Sequence, residues 1–116
     1  MTLEEIRNIC LSLPGVTEDI KWENHLCFNI GGKIFLITAP DNVPVSATFK
    51  TEAGEFDEVV TKPGFSPAPY LARNKWVLVD DIHRMNAAEW HAVLVTSYKL
   101  VFSGLPLKIR KQITET

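Results

Sequence analysis

Apolar and polar positions in this chain follow two periods, and the switches between them mark its elements. Leu3, Ile6, Cys10 and Leu13 recur at helical spacing and form one face. Thr2-Leu3-Glu4-Glu5, just ahead, fits a capping box: Thr2 accepts from the Glu5 amide, and the Glu5 carboxylate reaches back. Pro14-Gly15 ends that helix. Asn86-Ala87-Ala88-Glu89 repeats the device before a second stripe of Trp90, Val93, Leu94, Ser97, Tyr98 and Val101. Gly104 and Pro106 stop this longer helix, and Leu107 to Ile113 adds a short amphipathic piece.

Between the helices the period is two. His25 to Ile30 and Lys33 to Thr38 flank Gly31-Gly32, a two-residue hairpin signal, because glycine accepts positive φ at no steric cost. Counting outward from the turn sets Ile30 opposite Lys33, Phe28 opposite Phe35 and Leu26 opposite Ile37. That register assigns Leu26, Phe28, Ile30, Phe35 and Ile37 to the core. The other face carries His25, Cys27, Asn29, Ile34, Leu36 and Thr38; it is half apolar and calls for cover by a loop, a terminal helix or a partner. Val45, Ala47 and Phe49 alternate with polar residues as a half-buried strand, and Thr51 caps a short helix reaching about Val60. Trp76 to Asp80 reads as a strand pairing with Tyr70 to Ala72 across Arg73-Asn74. Hairpin signals dominate and no βαβ crossover is apparent, so the pattern predicts an α+β fold with helices on one face of an antiparallel sheet.

A length of 116 residues fits one domain spanning 1–116. Such a domain buries roughly two-thirds of its unfolded surface and needs no metal or disulfide staple. The formal net charge of −2 gives no global attraction to DNA or acidic membranes, so any such contact needs a local basic patch. No basic-then-apolar leader is visible, and no apolar run approaches the ~20 residues of a membrane span. The expectation is a cytoplasmic protein with no membrane partner, keeping Cys10 and Cys27 reduced.

Candidate chemistry gathers in the irregular segment from Pro63 to Val77. Lys62, Arg73 and Lys75 lie in or beside it, Arg84 is nearby, and Lys33 sits at the hairpin tip. Cations of this kind contact phosphates, and Tyr70 or Trp76 could stack on a base or support a hairpin. The site expected is therefore Lys33, Lys62, Tyr70, Arg73, Lys75 and Trp76, with DNA as partner. The alternative is a protein- or ligand-interaction module, a homodimer included, using the outer sheet face and the 63–77 loop. His25 and Cys27 share a strand face, but no third group orients a thiol–imidazole pair, so no catalytic residue is assigned and the expectation is non-enzymatic. Asp80, Asp81 and His83 read as a polar turn rather than a metal site. No phosphate-loop, dinucleotide or paired CxxC motif calls for a cofactor.

Four blocks carry a resemblance across nearly the whole chain. They are Leu13-Pro14-Gly15-Val16 with Trp22; Gly32-Lys33-Ile34-Phe35; Pro63-Gly64-Phe65 through Lys75-Trp76-Val77; and Ser97-Tyr98-Lys99-Leu100-Val101 with Leu105-Pro106. In order and spacing they resemble the MmcQ/YjbR family of small bacterial proteins, mostly of unknown role. The resemblance implies a fold like the bacterial frataxin CyaY, two main helices on one face of a twisted antiparallel sheet. It also implies DNA binding through a double wing of β-hairpins. Iron is not carried over from frataxins: capping accounts for Glu4 and Glu5, and no acidic ridge is visible.

Overall fold

The computed structural model describes residues 1–115. The helices are α1 (Leu3–Ser12), α2 (Ala53–Val59), α3 (Ala87–Ser103) and α4 (Leu107–Thr114). The strands are β1 (Val16–Lys21), β2 (His25–Ile30), β3 (Lys33–Ala39), β4 (Ser46–Lys50), β5 (Phe65–Pro67) and β6 (Trp76–Val79). They form one antiparallel sheet in the order β1-β2-β3-β4-β6-β5. The α+β expectation holds.

Both capping boxes form as their residues predict: Thr2 with Glu5 starts α1, and Asn86 with Glu89 starts α3. Their apolar stripes bury Ile6 and Cys10 of α1, and Trp90, Leu94 and Tyr98 of α3, against one sheet face. Trp90 meets Phe49 edge-on at 6.0 Å, and its ring N–H donates to the Ile82 carbonyl at 2.7 Å. Tyr98 meets Phe35 edge-on at 5.6 Å, while its hydroxyl donates to the Pro14 carbonyl and ties α3 to the end of α1. Burying each such ring stabilises by about 1.5–3 kcal/mol.

The hairpin turn lies where Gly31-Gly32 predicts, but the register does not run on unbroken. Ile30 faces Lys33 and Asn29 faces Ile34, then Phe28 faces Leu36, Cys27 faces Ile37 and Leu26 faces Thr38. A β-bulge at Phe35 inserts one residue. Beyond it every β3 side chain changes face. Leu36 and Thr38 join the helix side and are fully buried, whereas Ile37 moves to the outer face. Phe35 and Leu36, adjacent in sequence, both point into the core.

One strand goes unpredicted and two further expectations are corrected. Val16–Lys21 forms an edge strand that its polar sequence conceals; only one side of it is paired, half of its residues are exposed and none is buried. The partner of β6 is Phe65–Pro67, not Tyr70 to Ala72, which lie in the 68–75 loop that joins the two strands. Thr51 does not cap α2: the residue preceding that helix is Glu52, and the Thr51 hydroxyl donates instead to the Lys75 carbonyl at 3.0 Å.

Candidate functional site

Strand directions decide which loops meet. The β2–β3 turn lies at one end of the sheet, beside Ile30 and Lys33. Lys50 is at that same end of β4, since Phe49 pairs with Leu36, and Lys50 pairs with Trp76, where β6 begins. The two hairpin tips, Gly31-Gly32 and the 68–75 loop, therefore share one end. There α4 crosses the first of them: Leu105 and Ile109 lie against Gly31, and Ile113 lies against Gly15.

That end is cationic. It gathers Lys33 and Lys50 with Arg73 and Lys75 from the second tip, Lys99 from the last turns of α3, and Lys108, Arg110 and Lys111 from α4. Among the described residues none of these makes an ion pair. The cations that do are elsewhere: Arg7 with Glu4 and Glu18, Lys21 with Asp19, and Arg84 with Asp80. Acidic residues at the cationic end are Glu52 and Glu55 at the start of α2, and Glu115. The net charge of −2 thus conceals a separated distribution.

Five of the six expected site residues sit at this end, in different states. Lys33 and Arg73 are exposed. Tyr70 is wholly exposed at 103%. Lys75 is half-buried, with its ammonium 5.1 Å from the centre of the Phe56 ring on the helix side. Trp76 is buried on the outer sheet face, in the same row as Leu78. Lys62 does not join them: it follows α2 and precedes β5, whose Phe65 faces Val79 at the opposite end. There it lines a cleft with Phe65, Arg84 and Val93 that extends to Lys50 and Glu55.

The outer sheet face carries an apolar groove of about 400 Å³. Ile34 and Ile37 of β3 and Trp76 of β6 form its floor; Pro69, Tyr70 and Leu71 close one side, and Trp22 closes the other. Trp22 comes from the β1–β2 turn at the far end of the sheet and is 63% exposed. Sequence reasoning missed it, although a lone ring in Lys21-Trp22-Glu23-Asn24 has no apolar neighbour to make a core. Trp22 and Tyr70 both hold positive φ, +52° and +65°, a region that residues other than glycine seldom enter.

The Cys27 thiol turns to the His25 backbone. The Cys27 thiol lies 3.8 Å from the His25 carbonyl oxygen, and burial pushes its pKa up to about 11, so it stays protonated at neutral pH. Asp81 accepts from the His83 amide and meets the His83 ring, and Asp80 is engaged by Arg84. Among the described residues no group of three or more His, Cys, Asp or Glu side chains converges on a metal position. No helix among them is long and apolar enough to cross a membrane.

A family model described as YjbR matches residues 11–100. In solved structures the chain is similar to the Deinococcus radiodurans protein DR2400, described as a DUF419 domain. The two share 22% identity over 97% of this chain and 88% of that one, with a TM-score of 0.86. A protein from Pseudomonas syringae is similar at 17% identity over 86% of this chain and 98% of that one, with a TM-score of 0.71. At these identities the likeness shows the fold. No curated protein matches the sequence.

Proposed function

We propose, starting from the fact that the chain belongs to the YjbR family, that it is a nucleic-acid-binding protein with no catalytic step, holding phosphates at its cationic end. One observation carries this reading: the cations gathered around the two hairpin tips have no carboxylate partner, while those that pair with carboxylates lie elsewhere. Cations without a carboxylate partner, gathered on several elements, are the footprint that phosphate recognition requires, although Arg110 already donates to the Leu105 carbonyl. They also supply the local patch that the overall acidity does not. Two hairpin tips at one end of the sheet, with β4 between them, offer two points of contact on one backbone.

Fluorescence anisotropy with labelled duplex and single-stranded oligonucleotides tests it. Binding at about 10 micromolar or tighter is expected at low salt, with log K falling linearly against log salt. No rise in anisotropy at several times that concentration would sink the reading.

The outer-face groove favours a second reading, a protein- or ligand-interaction module using that face and the 63–77 loop. It ranks second because the groove opens beside the cationic end, where Arg73 lies two residues beyond Leu71. Light scattering distinguishes the two: a dimer mass that falls to the monomer value in Tyr70→Ala would put it first.

A further inference from the structure

Two large rings stand outside the hydrophobic core, Trp22 meeting the His25 ring edge-on at 5.9 Å. Tyr70 is wholly exposed and Trp22 mostly so, and each holds a positive φ. Backbone of this kind costs of order 1–3 kcal/mol per residue and points to function when it clusters at one site. Glu23 and Lys75 hold it too, so the turns account for the backbone; what the two rings share is the groove floored by Ile34, Ile37 and Trp76, which both border. The groove wall is apolar, and its hairpin-tip end carries charge: Arg73 follows shortly after Leu71 and Lys33 begins the strand that holds Ile34, with Lys33 in the helix-side row of Ile30, Lys75 turned to Phe56, and Glu23 next to Trp22 at the far end.

An occupant must therefore offer flat apolar faces and carry anions alongside them. An apolar peptide meets the first demand and leaves Lys33 and Arg73 without partners. A base-paired duplex meets the second and hides its base faces inside the stack. Unpaired bases on a phosphate chain meet both, since every base has a π-face and every nucleotide a charge. Resting on the nucleic-acid reading above, we infer that this chain binds single strands in preference to duplexes. Unpaired bases stack on Tyr70 and Trp22 across the outer sheet face, and the backbone follows Lys33 and Arg73.

Anisotropy at constant salt with an oligothymidylate of about 12 nucleotides and a duplex of similar length tests this. The single strand is expected to bind at least about fivefold more tightly. Tyr70→Ala and Trp22→Ala should each weaken single-strand binding by roughly five- to a hundredfold, with the salt slope and the duplex affinity unchanged. Tyr70→Phe keeps the ring and should keep the affinity. Stacking should also quench tryptophan fluorescence, less in Trp22→Ala than in the parent chain. Equal affinity for the two forms, with the alanine variants binding like the parent, would overturn the inference and leave the nucleic-acid reading standing. Failure of both oligonucleotides to bind would remove both. A dimer mass in light scattering that Tyr70→Ala abolishes would give the groove to a second copy and likewise overturn the inference.

Discussion

The Ser97 hydroxyl donates to the Phe35 carbonyl at 2.6 Å, from a helix to the bulged residue of a strand. The same oxygen accepts from the Lys50 amide at 3.0 Å. Pairing of β3 with β4 stops at Leu36 and Phe49, one step short of Phe35 and Lys50. The hydroxyl thus bridges the backbone groups of that next step and pins α3 over the bulge. Removing it from this fully buried position leaves backbone groups without a partner. Ser97→Ala is expected to cost about 1–3 kcal/mol, read as a lower urea midpoint at unchanged m.

Gly31 holds φ +58°, and a Cβ there would lie 2.6 Å from Leu105 Cδ1. Gly32 holds φ +81° with nothing nearby. Alanine at Gly32 should cost about 1–2 kcal/mol for backbone alone. Alanine at Gly31 should cost that and a packing term of about 1–3 kcal/mol, because α4 must shift. Thermal melts of the two variants should therefore rank Gly31→Ala below Gly32→Ala.

Acid should weaken the fold partly through Glu18. The Arg7 guanidinium donates to both Glu18 oxygens, at 2.8 and 2.7 Å, and lowers the carboxyl pKa below its ordinary 4.5. A lowered folded-state pKa gives stability that is present above the ordinary value and is lost as pH falls through the folded one. Unfolding free energy should drop below about pH 4.5. Glu18→Gln should make that drop shallower.

The thiols act at the alkaline side. Burial pushes Cys10 up to about 12 and Cys27 up to about 11, from an ordinary 9.0. Raised values give stability that is complete below pH 9 and declines as pH rises through 11 and 12. At pH 8 iodoacetamide should label neither cysteine in the folded protein and both in urea, which mass spectrometry reads directly.

Lys33→Glu and Arg73→Glu should each weaken nucleic-acid binding and reduce the salt slope by about 1. Lys62→Glu, at the opposite end, should do neither. Lys75→Glu is a poorer probe, because it also removes the contact with the Phe56 ring.

Local signals carried much of the fold. The capping residues Thr2, Glu5, Asn86 and Glu89, and the Gly31-Gly32 turn, act within a few positions of themselves and read directly. The bulge does not, because Phe35 and Leu36 are both apolar and alternation is blind to which of two adjacent apolar residues is extra. Val16–Lys21 is polar because an edge strand faces water, and its turn places Trp22 and Glu23 at positive φ without a glycine. Phe65–Pro67 is too short to show a period. Of the candidate site, Lys33, Tyr70 and Arg73 were legible as exposed turn residues. Lys108, Arg110 and Lys111 were not, because their place beside the hairpin tip depends on Leu105 and Ile109 meeting Gly31, a contact far apart in sequence.

Separated charge also acts at a distance. A body with most of its unpaired cations at one pole and much of its acidity toward the other carries a dipole moment along the sheet. In the field of any polyanion it feels a torque before it touches. It therefore arrives pole first, with both hairpin tips leading, over separations of about one Debye length, ~10 Å at 0.1 M salt. Added salt erases this alignment before it loosens a formed contact, so salt should act first on the rate of encounter and only then on the lifetime of what forms.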